Sequence, residues 1–313
     1  PPDLTKEDIG IETLAGRKIF DALQTYGGYP VENSAWDNWQ FLLEEEAVKT
    51  DWPSGDHSSI TTGQFFDELK AIVSELHIIK LNTPDSIAGG PTSDHENRMA
   101  PVACKLGEFG SGSVCDNPAT GELRNPYKWP FSKTSIWNTP IGADAEYYPQ
   151  PVNPDHIDGV MVDADIIIMT PDADLMPVYG TEYRWTSETN QTTRCIKYND
   201  KVHLRLPIPD DYVTNFYGTR PNNPGVILKT DGRTLVQTQP FQTCGGGYAT
   251  TGIRYSNRND ILRSDDIDIL SEGIRGMHGG SGLSSLGGAI RVGELAPDSD
   301  PIRHALKISF PGE

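Results

Sequence analysis

No apolar run in the sequence approaches the roughly 18 residues that a membrane span requires, so no membrane span is expected. Positive charge is scarce: 26 Lys and Arg stand against 44 Asp and Glu, a net charge of −18. Phosphate backbones are held by basic faces, so a nucleic-acid partner is not expected. Cysteine is limited to four residues, and none forms a CxxC pair, which argues against a zinc ribbon. No histidine pair has HxxxH spacing, so zinc lacks that support as well. A GxSxG nucleophile elbow is absent, "GGSGLS" having the wrong spacing, and no GK[ST] closes a phosphate loop. There is no internal repeat. The opening "PPDLTKED" has no basic or apolar leader character, and the expectation is a secreted chain whose signal peptide has been removed.

What is abundant is turn chemistry. The 31 glycines and 24 prolines favour short strands joined by turns over a helical bundle. An even cysteine count in polar, loop-rich sequence favours two disulfides and an oxidising, extracellular setting. Cys104 and Cys115 bracket "KLGEFGSGSV", expected to form a hairpin, which leaves Cys195 to pair with Cys244. Four unrelated free thiols are the alternative. Asn190 opens the single N-glycosylation sequon.

Residues 10–27 carry Ile11, Leu14, Ala15, Ile19, Ala22, Leu23 and Tyr26 at helical spacing, with Gly27-Gly28 as a stop. A second amphipathic helix is expected over about 62–77, on Phe65, Phe66, Leu69, Ile72, Val73 and Leu76, with Thr61 and Gln64 resembling a capping box. The intervening Trp36, Trp39 and Phe41 read as core more readily than as sugar platforms. Beyond residue 128 come short β-type runs at 159–169, 201–208, 225–230, 234–241 and 304–310. With no helices between them, they imply antiparallel pairing. The expected architecture is mainly β with peripheral helices: an antiparallel β-sandwich or barrel plus a small helical subdomain. Residues 1–80 form the helical segment, packing on the β-domain of its own or a neighbouring copy. Residues 81–128 form a loop-rich linker with the disulfide hairpin, and 129–313 the β-rich domain.

Three segments, "WPFSKTSIWNTPIG" (129–142), "HGGSGLSSLGGAIRVGEL…PIRHALKI" (278–308) and the helical part from "PPDLTKEDIG" to "LNTPDSIAGGP", resemble a group of secreted, largely uncharacterised bacterial proteins. The resemblance covers more than half the chain and implies a compartment more than a chemistry. In that group the helical segment follows the IRHAL strand, whereas here it comes first, so the order reads as permuted. Such a chain is expected to fold back on itself, or to exchange segments between copies and form a filament.

Three candidate sites follow. His278, Glu294, Arg303 and His304 are the distinctive titratable cluster, with His278 as base, Arg303 as carboxylate holder and Glu294 as orienting group. Their bland reading is a set of glycine turns and satisfied buried polar groups. Asp163, Asp165, Asp172 and Asp174, with Asp158 near them and Asp265, Asp266 and Asp268 elsewhere, could supply oxygens to a structural calcium ion, though neither run has EF-hand spacing. Trp129, Trp137, Trp185 and Tyr183, with Tyr147, Tyr148 and Tyr179, could stack on sugars, or Trp137 could plug the core. The leading expectation is an extracellular structural or assembly-forming protein, a filament or cell-surface subunit associated with glycans, whose partners are copies of itself and polysaccharide. The alternatives are a polysaccharide-degrading enzyme of the lyase type and a non-catalytic carbohydrate-binding module.

Overall fold

A computed structural model describes residues 1–34, 38–53, 60–80, 100–105, 123–142, 145–150, 159–182, 193–214, 222–252, 268–269 and 271–311. The N-terminal part runs α1 (Leu14–Tyr26), β1 (Gly28–Ser34), β2 (Asn38–Glu44), α2 (Glu45–Thr50), α3 (Gln64–Ser74) and β3 (His77–Lys80). Then come β4 (Val102–Ala103), β5 (Leu123–Arg124), β6 (Glu146–Pro149), β7 (Gly159–Ile168), β8 (Leu175–Thr181) and β9 (Lys197–Pro207). The chain continues through β10 (Gly225–Leu228), β11 (Leu235–Thr238), β12 (Phe241–Cys244), β13 (Tyr248–Thr251), β14 (Arg275–His278) and β15 (Leu306–Pro311).

The protein is mainly β, with its few helices at the periphery of a curled half-barrel sheet. Six strands form that sheet in the order β1-β15-β2-β7-β10-β11, and β12-β13-β8-β9 form a second sheet. The expected antiparallel pairing holds only in part. The pairs β1–β15, β2–β7, β7–β10 and β8–β13 run parallel. The physical reason is that these neighbours are joined by long excursions through other elements, which antiparallel hairpins do not need. Residues 1–80 are likewise more than helical, because they supply β1 and β2 to the main sheet of the same chain.

α1 starts at Thr13, whose hydroxyl accepts the Gly16 N–H, and ends at Gly27, where φ of +77° suits glycine. Glu68 of α3 reaches across to accept the N–H groups of Glu12 and Thr13 at 2.9 and 2.8 Å, so one helix caps the other. The Thr61–Gln64 capping box does not form: Gly63, with φ of +99°, is the N-cap of α3 and no side chain caps it. The helices bury Ile19, Leu23, Phe66, Leu69 and Val73 against Val160, Val162, Leu306 and Ile308 of the sheet. Each large side chain so buried contributes about 1.5–3 kcal/mol. Trp39 also lies in this core, as expected, edge-on to Phe310 at 4.5 Å; Trp36 lies outside the described residues.

Strand β7 explains how a polar site arises inside this fold. It sits centrally between β2 and β10 and is buried almost throughout. Side chains alternate across a strand, so Val160, Val162 and Ala164 face the helices while Asp163 and Asp165 face the other way. β15 repeats the pattern: Leu306 and Ile308 face the helices and Lys307 the opposite side. Cys195 and Cys244 are disulfide-bonded, and no described cysteine is free; Cys115 lies outside the described residues. Among the described residues, no helix is long and apolar enough to cross a membrane.

Candidate functional site

The face of the main sheet turned away from the helices gathers Glu32 from β1, Asp163 and Asp165 from β7, His278 from β14 and Lys307 from β15. Asp165, His278 and Lys307 are fully buried, and Asp163 is only 8 % exposed. Glu32 and Asn222 are half-buried and form the outer rim. The loop after His278 is fastened over β1 by the Ser281 N–H, which donates to the Val31 carbonyl at 3.1 Å. Gly279 sits at φ of +49° with Glu32 Oε2 occupying the space that a Cβ would fill, so the turn and the carboxylate fit only with glycine there. The Gly279 N–H also donates to Gln239 Oε1 at 3.2 Å.

Within this cluster Lys307 Nζ donates to Asp165 Oδ2 at 2.6 Å and to the Ser285 and Ser284 carbonyls at 2.8 and 3.3 Å. That ammonium ties the "SGLSSLGG" turn to the sheet. The Asn222 amide donates to Glu32 Oε1 and, at 3.4 Å, to Asp163 Oδ2, so it bridges two carboxylates. His278 Nε2 lies 3.5 Å from Asp165 Oδ1 and 3.8 Å from Asp163 Oδ2. Neither ring nitrogen of His278 has a hydrogen-bond partner, and neither does Asp165 Oδ1. A buried polar group without a partner costs about 1–3 kcal/mol, so this arrangement runs against stability.

The electrostatics follow from burial. Glu32 is pushed up to about 8 by desolvation and then by the Asp163 charge, against the Asn222 hydrogen bond. Burial raises Asp163 to about 6 and Asp165 to about 7, with Asn222 opposing the first and Lys307 both. His278 falls well below its usual value through burial and the Lys307 charge, so its imidazole is neutral. Burial also lowers Lys307, opposed by Asp165. At neutral pH the cluster therefore holds a protonated Glu32 beside an ionised Asp163, the pairing that acid–base catalysis needs.

The expected catalytic quartet is divided. His304 is buried elsewhere, its Nε2 at 3.2 Å from Glu294 Oε2 and its Nδ1 at 2.8 Å from the Ala305 carbonyl. Burial opposes its proton, but Glu294 prevails and raises its pKa. Glu294 also accepts the Arg291 N–H at 2.6 Å, while the Arg291 Nε donates to Glu44 at 2.9 Å. This group is fully partnered, as a structural knot is. Arg303 is half-buried and forms no hydrogen bond to either group. The calcium quartet is divided as well. Asp172 and Asp174 are exposed in the turn after β7, whereas Asp163 and Asp165 are inside, because alternation turns residues 163 and 165 to one face. No three His, Cys, Asp or Glu side chains among the described residues converge on a point that could hold a metal ion. Asp268 instead pairs with Arg233, and Asp158, Asp265 and Asp266 lie outside the described residues.

The sugar platforms fare similarly. Trp137 is 1 % exposed, edge-on to Tyr29 at 5.2 Å, with its Nε1 donating to the Gly273 carbonyl at 2.7 Å. It is a core plug, and Gly287 lies flat against its ring where a Cβ would collide. Trp129 is half-buried, its Nε1 donating to Asn138 Oδ1 at 2.7 Å. Trp185, Tyr183 and the Asn190 sequon lie outside the described residues.

The sequence reading missed Glu32, Asn222 and Lys307 as site residues. Besides His278 in its glycine-rich setting, the signal for the cluster was two carboxylates two residues apart inside the otherwise apolar "VMVDADIII", joined by a lysine inside "HALKISF". No protein-family model, no curated protein and no solved structure matches this chain.

Proposed function

We propose that this chain is an extracellular polysaccharide-cleaving enzyme that works by acid–base catalysis at the Glu32–Asp163 cluster of the half-barrel. The observation that carries the reading is His278, sealed between Asp163 and Asp165 without a hydrogen bond of its own. Burying charges costs several kcal/mol per ion unless they are well paired, so a buried ionic cluster is weak evidence of a stabilising role. Perturbed carboxylates in such a cluster mark functional sites more than structural ones.

Cleavage of a glycosidic bond by water requires one carboxylic acid and one carboxylate. Glu32, at the rim and protonated up to about pH 8, donates its proton to the departing glycosidic oxygen. Asp163, ionised above about 6, accepts a proton from the attacking water. The Lys307–Asp165 pair fixes the charge behind them, and neutral His278 lies where a proton can pass between the two aspartates once the contacts tighten on substrate. The test is release of new reducing ends from a panel of neutral and uronate polysaccharides. The reading expects cleavage of at least one polymer, lost by at least about a hundredfold in Glu32→Gln and Asp163→Asn. Failure of the unmodified protein to cleave any polymer counts against it.

A second reading, an extracellular scaffold, rests on a different observation: Asp165, His278 and Lys307 are completely buried. On that reading the cluster fixes the geometry of the half-barrel, and every substitution in it destabilises the protein without touching any activity.

A further inference from the structure

On the opposite side of the main sheet from the acidic cluster lies a cavity of about 520 Å³, within the size range of small-molecule sites. Its floor is the α1–β1 junction and the end of β15, through Leu23, Ile308 and Phe310. Its outer wall is the separate β3–β6 ribbon, where Ile79 and Tyr147 are cross-strand partners. In β3 the residues His77 and Ile79 are half-buried while Ile78 and Lys80 are exposed, so one edge of the ribbon is turned inward. Gly27 and Gly28 keep the floor open: a side chain at Gly28 would press on Ile308 and Leu23 at 3.1 and 3.2 Å.

The charge of the lining narrows the ligand. No Lys or Arg is among the described lining residues, and Glu75 stands at the wall. Pro1 also lines the cavity, and burial lowers the pKa of its amine. The remaining polar groups are partly committed: Gln24 donates to the Pro1 and Leu4 carbonyls, and His77 Nδ1 lies 2.9 Å from the Glu75 carbonyl. An anionic head would meet the Glu75 carboxylate and a protein of net charge −18, with no Lys or Arg side chain among the described lining residues to receive it. We infer that this cavity binds an uncharged, alkyl-chain compound such as a fatty alcohol or ester, independently of the acid–base cluster.

The experiment is a fluorescence titration of the whole chain with the neutral dye N-phenyl-1-naphthylamine, followed by competition with dodecan-1-ol and with dodecanoate at pH 8. The inference expects saturable binding of one dye per chain. Dodecan-1-ol displaces it at a concentration at least about tenfold below that of dodecanoate, because only the latter buries a charge. Ile79→Trp fills the cavity and abolishes binding, while Ile79→Ala enlarges it and retains binding, which separates blockage from loss of the ribbon. Absence of saturable binding, binding that survives Ile79→Trp, or equal displacement by the two competitors overturns the inference. So does a concentration-dependent dimer that excludes the dye, since a second copy would then be the occupant.

Discussion

Replacing Glu32 by glutamine removes a titrating proton while leaving a carbonyl to accept the Asn222 amide. The size of the effect follows from linkage. The folded protein holds the Glu32 proton up to about pH 8, whereas the unfolded chain releases it near the usual 4.5. Between those values the folded state binds more protons, so stability falls as pH rises and levels off above about 8. From about pH 5.5 to 8.5 the change is roughly 2.5 pH units at about 1.4 kcal/mol each, or about 3 kcal/mol. Water at the half-exposed end of the side chain reduces this to about 2 kcal/mol. Asp163 and Asp165 are raised too and act in the same direction. The advantage of Glu32→Gln over the unmodified protein is therefore expected to grow by about 2 kcal/mol between pH 5.5 and pH 8.5. Urea unfolding followed by tryptophan fluorescence at the two pH values measures this. A stability difference that stays the same at both would refute the reasoning and favour the scaffold.

Lys307→Met leaves Asp165 buried without its cation and frees the Ser284 and Ser285 carbonyls, so a loss of about 3–5 kcal/mol is expected in denaturant unfolding. The double variant Lys307→Met, Asp165→Leu should recover most of that loss, because no lone charge then remains. Cys195→Ser with Cys244→Ser opens a loop of sequence separation 49, for which chain entropy gives about 4 kcal/mol. Thermal unfolding of the unmodified protein and of the double variant, both without reductant, measures this decrement. Trp137→Ala empties a fully buried indole and should cost about 3–5 kcal/mol, without changing retention on immobilised polysaccharide.

The β character, α1, α3, β7, β10 and β15 were legible because each has an apolar period or run long enough to dominate its neighbours. β1 and β2 were not, since "GYPVENS" and "NWQFLLE" lack a clean alternation and owe their strand state to β15 and β7 on either side. Parallel pairing was hidden for the same reason: it depends on partners far away in sequence. At the site, His278 was recognisable from its glycine-rich setting, but its partners were misassigned. His304 and Glu294 are near it in sequence yet form their own knot, while Glu32 comes from a distant strand that carries no local mark. Asp163 and Asp165 drew notice as metal ligands because acidic spacing on its own does not distinguish a calcium loop from a charged strand interior.

The pH dependence of kcat/KM on the best polysaccharide substrate tests the central claim most directly. The account predicts a bell with limbs near 6, where Asp163 must be ionised, and near 8, where Glu32 must keep its proton. The alkaline limb should disappear in whatever activity Glu32→Gln retains. A flat profile, or an alkaline limb that persists in that variant, would contradict the assignment of this cluster as the catalytic site.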